Sequence, residues 1–255
     1  MKSFFGRRVL LIVTGASRGL GLEIATQFSG KIANGSVVVL TARNAEKLKV
    51  NSDKLKQIYP EITFESFVSD NASTEYTNYE KLLKEKLKAE PEEVVVVHNA
   101  GSLGNVQKPL SDLNNSDDID LYFAANVRHP MLLSSAVIAH VKVPIYLVNI
   151  SSLCGVKPVP GVGLYCTGKA ARKMYFDCLA QEKPEIRILQ YSPGPLETDM
   201  MGELRNSPLA SVSSMAKSFQ ENGTLLSTRQ TVEKLCDIID QGKFESAAHL
   251  DYFNR

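Results

Sequence analysis

Apolar residues along the chain follow two rhythms. Short unbroken runs, "VLLIV" (9–13), "VVVL" (37–40), "VVVV" (94–97), "IYLVNI" (145–150) and "IRILQY" (186–191), read as strands covered on both faces. "ITFESFV" (62–68) fits that description less cleanly. Between the runs the period changes. Leu20, Ile24 and Phe28 recur at i, i+4 and i+8, which is one helix face. "YEKLLKEKLKAE" (79–90) puts Leu82, Leu83 and Leu87 on one face and lysines and glutamates on a solvated one. Strands spaced by helices predict βαβ units, hence an α/β fold with a doubly wound parallel sheet flanked by helices. Residues 119–140 and 165–182 read as helices rich in small and apolar residues, and "HLDYF" (249–253) as a final strand. The Ser- and Asn-rich stretch 205–227 still carries apolar residues. It is expected to form a helical excursion or substrate lid around 196–228, not a domain boundary. No repeat or linker interrupts the pattern, so residues 1–255 are expected to form one domain.

Composition narrows the partners. A net charge of +1 over 255 residues gives no field that would attract nucleic acid or an anionic membrane. The four cysteines form no C-x-x-C pair and no metal-ligand spacing with the four histidines, so free thiols and no bound metal are expected. The opening "MKSFFGRRVLLIVTG" faintly mimics a leader, but its apolar run is too short, and a cytoplasmic location is the expectation.

"VTGASRGLG" (13–21) follows the first strand and opens the first helix. In open parallel sheets ligands bind beyond the carboxyl ends of the strands, where a helix N-terminus offers free N–H groups to a phosphate. Gly15, Gly19 and Gly21 would let main chain approach such a phosphate; the alternative is a turn that needs glycine only for its geometry. One glycine would suit that alternative; three in this short stretch favour the phosphate cradle of a Rossmann-type site. The second strand ends at Arg43, and no acid occupies residues 37–45. An acid there would take a ribose 2′-OH; an arginine accommodates a 2′-phosphate. Arg18 adds a second positive charge, so NADPH is favoured over NADH.

Further on, "NISSLCGVKPVPGVGLYCTGK" (149–169) holds Tyr165 and Lys169 four apart, on one helix face. An ammonium beside a phenol lowers the phenol pKa and makes Tyr165 a usable acid or base. Ser151 or Ser152, ending the fifth run, can hold a carbonyl oxygen. Cys166, beside the tyrosine, reads as a small filler and His98, at a strand end, as a hydrogen-bonded structural residue.

These stretches together resemble the short-chain dehydrogenase/reductase family over nearly the whole chain. "TGASRGLG" is similar to its cofactor turn, and "HNAG" (98–101) to its N-N-A-G motif with His98 in place of the first Asn. "AANVRHP" holds the family's helix asparagine at Asn126, "VSD" its adenine-side acid at Asp70, and "SPGPLETDM" its P-G segment. The resemblance implies Ser152, Tyr165, Lys169 and Asn126 as catalytic residues, with Asn126 holding a water linked to Lys169. It implies a cofactor site of Gly15, Ser17, Arg18, Gly19, Leu20, Gly21, Arg43, Asp70, Asn99, Ala100 and Gly101. Tyr165, Lys169, Pro193, Gly194 and Thr198 complete that site. It implies a homodimer built on the helices at 119–140 and 165–182. The likeness is greatest to members that reduce pteridine side-chain carbonyls in the last steps of tetrahydrobiopterin synthesis, and it places their substrate-anchoring aspartate at Asp251, beside Ser152 and Tyr165. An exposed edge-strand acid is the plain alternative for Asp251. A general carbonyl reductase of the same family is the alternative function.

Overall fold

The computed structural model describes residues 3–253; Lys2 of the leader-like opening and the final Asn254 and Arg255 lie outside them. Seven strands form one parallel sheet in the order β3-β2-β1-β4-β5-β6-β7. They are β1 (Val9–Thr14), β2 (Val37–Ala42), β3 (Thr63–Val68), β4 (Glu93–His98), β5 (Ile145–Ile150), β6 (Arg187–Ser192) and β7 (His249–Asp251). The unbroken apolar runs are the inner strands. Leu11, Val13, Val38, Val95 and Val148 face one core with α1 (Gly19–Ser29) and α9 (Thr228–Gln241). Leu10, Ile12, Val39, Val96 and Leu147 face the other with α3 (Tyr76–Lys86), α5 (His129–His140) and α6 (Gly163–Glu182). Burial on both faces removes any need for polar alternation. β3 is an edge, and its outer residues Thr63, Ser66 and Val68 are exposed, which is why its sequence alternates.

Two expected elements differ. The long helix at 119–140 is broken into α4 (Ser116–Phe123), a π turn (Ala124–Arg128) and α5. Pro130, at the start of α5, has no N–H for the regular ladder, and the wider turn sits where that bond would be missing. The last strand stops at Asp251, two residues short of Phe253.

Chain direction across the sheet reverses between β1 and β4, and the crevice of a doubly wound sheet opens there. α2 (Ala45–Ile58) follows β2, with the Asn44 side chain capping it. α7 (Asp199–Arg205) and α8 (Ala210–Glu221) rise over the crevice from the excursion. The feet of the excursion pair as a parallel bridge, Leu196 with Leu226. A separate small core of Leu103, Val106, Val162, Met201, Leu204, Val212 and Ala216 packs α7 and α8 onto the loops below. No helix of the described residues is long and apolar enough to cross a membrane.

Candidate active site

One cleft of about 2470 Å³ runs along the carboxyl ends of the strands. Gly15, Ser17, Arg18, Gly19, Leu20 and Gly21 line it after β1. Gly15 and Gly19 have φ of +69° and +55°, the left-handed region. Gly21 has an ordinary backbone but no room: a Cβ there would meet Gly15 O at 2.4 Å and Asn99 Nδ2 at 2.5 Å. Each of the three glycines thus has a reason inside the protein, and glycine density alone does not decide for a phosphate. Placement does more. Among the described residues no side chain caps the first turn of α1, whose residues Gly19, Leu20 and Gly21 line the cleft.

The loop after β4 closes against this turn. Thr14 Oγ1 accepts from the Asn99 and Ala100 amides, both at 3.0 Å, and donates to Val97 O at 3.2 Å. Asn99 Nδ2 donates to Thr14 O at 2.9 Å and Gly15 O at 3.3 Å. Asn99, Ala100 and Gly101 then line the cleft, as do Asp70, Arg43, Pro193, Gly194 and Thr198. Arg43 is exposed at the end of β2, with Lys47 of α2 on the same wall. Arg18 is already ion-paired to Asp199 of α7, across the mouth of the cleft.

Ser152, Tyr165 and Lys169 line the same cleft. Ser152 Oγ accepts from Cys154 N at 3.1 Å in the 3-10 turn Leu153–Gly155. Its neighbour Ser151 is buried, with Oγ 3.1 Å from His249 Nε2. That contact separates the two serines: one is engaged by the edge strand, the other is presented. Lys169 Nζ donates to Ile150 O at 2.7 Å and lies 5.5 Å from the Tyr165 ring centre.

The protonation expected for this pair is corrected. Burial pushes the Tyr165 phenol above its ordinary value, and Cys154 adds to the rise; the Ser152 hydroxyl and Arg172 oppose it. Burial, then Arg172, hold Lys169 well below its ordinary value. Both shifts favour a neutral phenol over a resting phenolate.

Asn126 is buried in the π turn and does not line the cleft. Its Oδ1 accepts from Ser102 N at 2.8 Å, and its Nδ2 donates to Tyr122 O at 2.8 Å and Ser102 Oγ at 3.2 Å. It ties the π turn to the loop after β4.

His98 is buried, with Nε2 3.0 Å from Ser134 Oγ, and burial keeps its pKa well down. Cys166 is half-buried and packs beside Cys154, whose thiol burial pushes up to about 11. Asp251 lines the cleft at the β7 edge, half-buried, its Oδ1 accepting from Phe253 N at 3.0 Å. Thr14, Arg172 and His249 are the residues that sequence reasoning passed over. The spacing Tyr165, Lys169, Arg172 on one helix face was a usable signal for the second. No local pattern marks the other two.

The sequence matches the family model "short chain dehydrogenase" over residues 9–208. This chain belongs to the short-chain dehydrogenase family. It is 35% identical to the sepiapterin reductase of Bos taurus, over 97% of this short-chain dehydrogenase and 95% of that protein. It is 27% identical to the benzil reductase ((S)-benzoin forming) of Bacillus cereus, over 92% and 95% of the two chains. Among solved structures it is similar to the KRED1-Pglu enzyme, with a TM-score of 0.81 and 26% identity, covering 95% of this chain and 100% of that one. Its oxidoreductase character follows from the family.

Proposed function

We propose that this short-chain dehydrogenase reduces a pteridine side-chain carbonyl with NADPH, as a sepiapterin reductase serving the last steps of tetrahydrobiopterin synthesis. The observation that carries the substrate is Asp251, a carboxylate in the same cleft as Ser152 and Tyr165. A pteridine presents a 2-amino group and a ring N–H side by side, and one carboxylate accepts both in a bidentate pair. The bond between His249 and Ser151 holds the strand carrying Asp251 to the strand end carrying Ser152.

The residues present fit the dinucleotide. The cleft is long, α1 offers uncapped amides, and Gly21 has no space for a side chain. Arg43, on the cleft wall, would take a 2′-phosphate, with Arg18 as a second cation once it leaves Asp199. Ser17, Gly19, Leu20, Asn99, Ala100 and Gly101 would cradle the phosphates and riboses, Asp70 the adenine, and Pro193, Gly194 and Thr198 the nicotinamide. Bound there, NADPH supplies the hydride. Ser152 holds the carbonyl oxygen, and the neutral Tyr165 phenol gives that oxygen a proton. Lys169 would hold the ribose and steer Tyr165. The excursion over 196–226 serves as the substrate lid of a single catalytic domain.

A second reading, a reductase of apolar ketones, is favoured by exposed Leu121, Leu153, Val156 and Phe253 along the cleft. Asp251→Asn separates the two. It should raise KM about tenfold or more for a diketo pterin while leaving a simple aromatic diketone within about twofold, the loss expected for one charged hydrogen-bond pair. Equal effects on both substrates favour the second reading.

The homodimer is part of the same proposal. Ala170, Met174 and Cys178 are exposed along one face of α6, beside exposed Ser135 and Ala139 of α5. Such a face suits a two-fold pairing with its own copy. Four free thiols fit a reducing compartment, so the cytoplasm is the proposed location.

A further inference from the structure

Helix α6 carries Tyr165, Lys169 and Arg172 at i, i+4 and i+7 of one face. The proton transfer proposed above uses the first two. Arg172 is 2% exposed, among the largest fully buried side chains of the protein. Its Nε and Nη2 donate to Asn149 Oδ1 at 3.1 and 2.6 Å. Nη1 donates to Ala100 O at 2.9 Å, and Nη2 also donates to His98 O at 2.6 Å. Every acceptor is neutral. No ion pair among the described residues includes Arg172.

A buried cation without an anion is costly, and it stabilises any negative charge that forms beside it. The groups facing Arg172 limit what that charge can be. His98 of β4 and His129 of α5 are kept neutral by burial, and Lys169 is held well below its ordinary value. The phenols that feel Arg172 are Tyr165 and Tyr122. Tyr165 is the one whose oxygen loses a proton in the reaction.

We propose that Arg172 is a positioning residue for proton transfer: it bolts α6 to the ends of β4 and β5 and is the standing positive charge that stabilises the Tyr165 oxygen once its proton has gone to substrate. The O–H bond of Tyr165 breaks as an O–H bond forms on the substrate oxygen. The electron pair stays on the phenolate, and solvent returns the proton. The inference rests on Tyr165 being the proton donor and on no particular substrate.

The test follows the ionisation of Tyr165 without turnover. Wild type, R172K and R172M are labelled with 13Cζ-tyrosine and saturated with NADP+, and Y165F assigns the signal. The midpoint in R172M should rise by about one pH unit or more, the size of effect an adjacent charge exerts. R172K should stay within about half a unit of wild type, because it keeps the charge. In the reduction direction kcat should fall about tenfold in R172M with KM within about twofold, and R172K should recover most of it. A folded R172M with the wild-type midpoint overturns the inference. If R172M does not fold, R172Q takes its place and is read the same way: a wild-type midpoint overturns the inference, and a midpoint raised by about one unit or more with R172K near wild type supports it. Full activity in Y165F would instead remove the proton-donor reading beneath it.

Discussion

At the glycine-turn end of the cleft the walls are main chain; at the lid end they are side chains. The turn after β1 is held by Thr14, Asn99 and the carbonyls of Thr14, Gly15 and Val97, with no room for one methyl group at Gly21. The excursion proposed as a lid is held by Met201, Leu204, Val212 and Ala216, in a small core with Leu103, Val106 and Val162. Main chain is common to all sequences, so its close approaches must be written as glycines at fixed places. Side-chain packing tolerates exchange of one apolar residue for another of similar volume. A cofactor shared by many enzymes suits the first kind of wall, and a substrate that differs between them suits the second.

The sharpest way to break this contrast is Gly21→Ala. A Cβ 2.4 Å from Gly15 O and 2.5 Å from Asn99 Nδ2 forces the turn and the loop after β4 apart. Overpacking of this kind costs roughly 1–3 kcal/mol, and it falls on the atoms that would face the phosphates. The expected result is a loss of NADPH affinity of about a hundredfold or more and a lower melting temperature. Enhancement of nicotinamide fluorescence reads the first directly, and the protein has no tryptophan to complicate it. Wild-type affinity in this variant would mean that the turn yields and that the main-chain wall is not rigid.

Arg43→Asp probes the same end with a side chain. Arg43 is exposed at the end of β2, whereas Arg18 has Asp199 as a partner. The preference for NADPH over NADH should therefore fall by about tenfold or more with Arg43→Asp, since an acid repels a 2′-phosphate and accepts from a 2′-OH. An unchanged ratio of kcat/KM for the two cofactors would assign phosphate selection to Lys47 or Arg18.

The same contrast explains what could be read from the chain. Both-face burial writes the inner strands as apolar runs, and glycine geometry writes the turn after β1. The Tyr165–Lys169 spacing is local, so it too is visible. The misses are long-range or ambiguous. His249 meets Ser151 from 98 residues away. Arg172 looks like a surface arginine until β4 and β5 close over it. The break at 124–128 was signalled only by Pro130, which also suits a first helical turn. The bonds of the Asn126 amide to Ser102 and Tyr122 are likewise invisible in the motif that marks that residue.

Acid should act on the core around β4 and α5, where two histidines are buried. His129 is buried against Tyr79, and burial takes its pKa down to about 3. His98 is lowered as well. The unfolded chain takes up a proton on each near the ordinary histidine value of about 6.5, while the folded chain does not. The unfolded state then binds more protons, so stability falls as pH drops below about 6.5, by up to about 1.4 kcal/mol per pH unit for each histidine. For His129 the loss continues down to its folded value of about 3. His129→Phe keeps an aromatic ring against Tyr79 and removes one proton from this balance. Its urea midpoint should decline less steeply than that of wild type between pH 6.5 and 5, a range set by the ordinary histidine value of about 6.5. Parallel declines would show that His129 is protonated in the fold.

Gly202→Ala carries the smallest effect and tests the lid end. Gly202 lies inside α7, with its amide donating to Thr198 O at 3.1 Å. A Cβ there would meet nothing within 4 Å. Glycine inside a helix is less favourable than alanine by up to about 1 kcal/mol, chiefly because the unfolded chain has more freedom to lose. In a protein of this size that gain corresponds to a rise in Tm of roughly 2–4 °C. If the lid is a side-chain wall with main chain to spare, the variant should melt higher and keep kcat and KM within about twofold. If instead the lid flexes at Gly202 when substrate enters or product leaves, the stiffer helix should slow turnover without altering NADPH affinity. A melting curve and a steady-state assay on one variant separate these. A fall in kcat of fivefold or more would show that a glycine with open space around it can be as demanding as one without, and the distinction between the two ends of the cleft would then rest on motion, not on room.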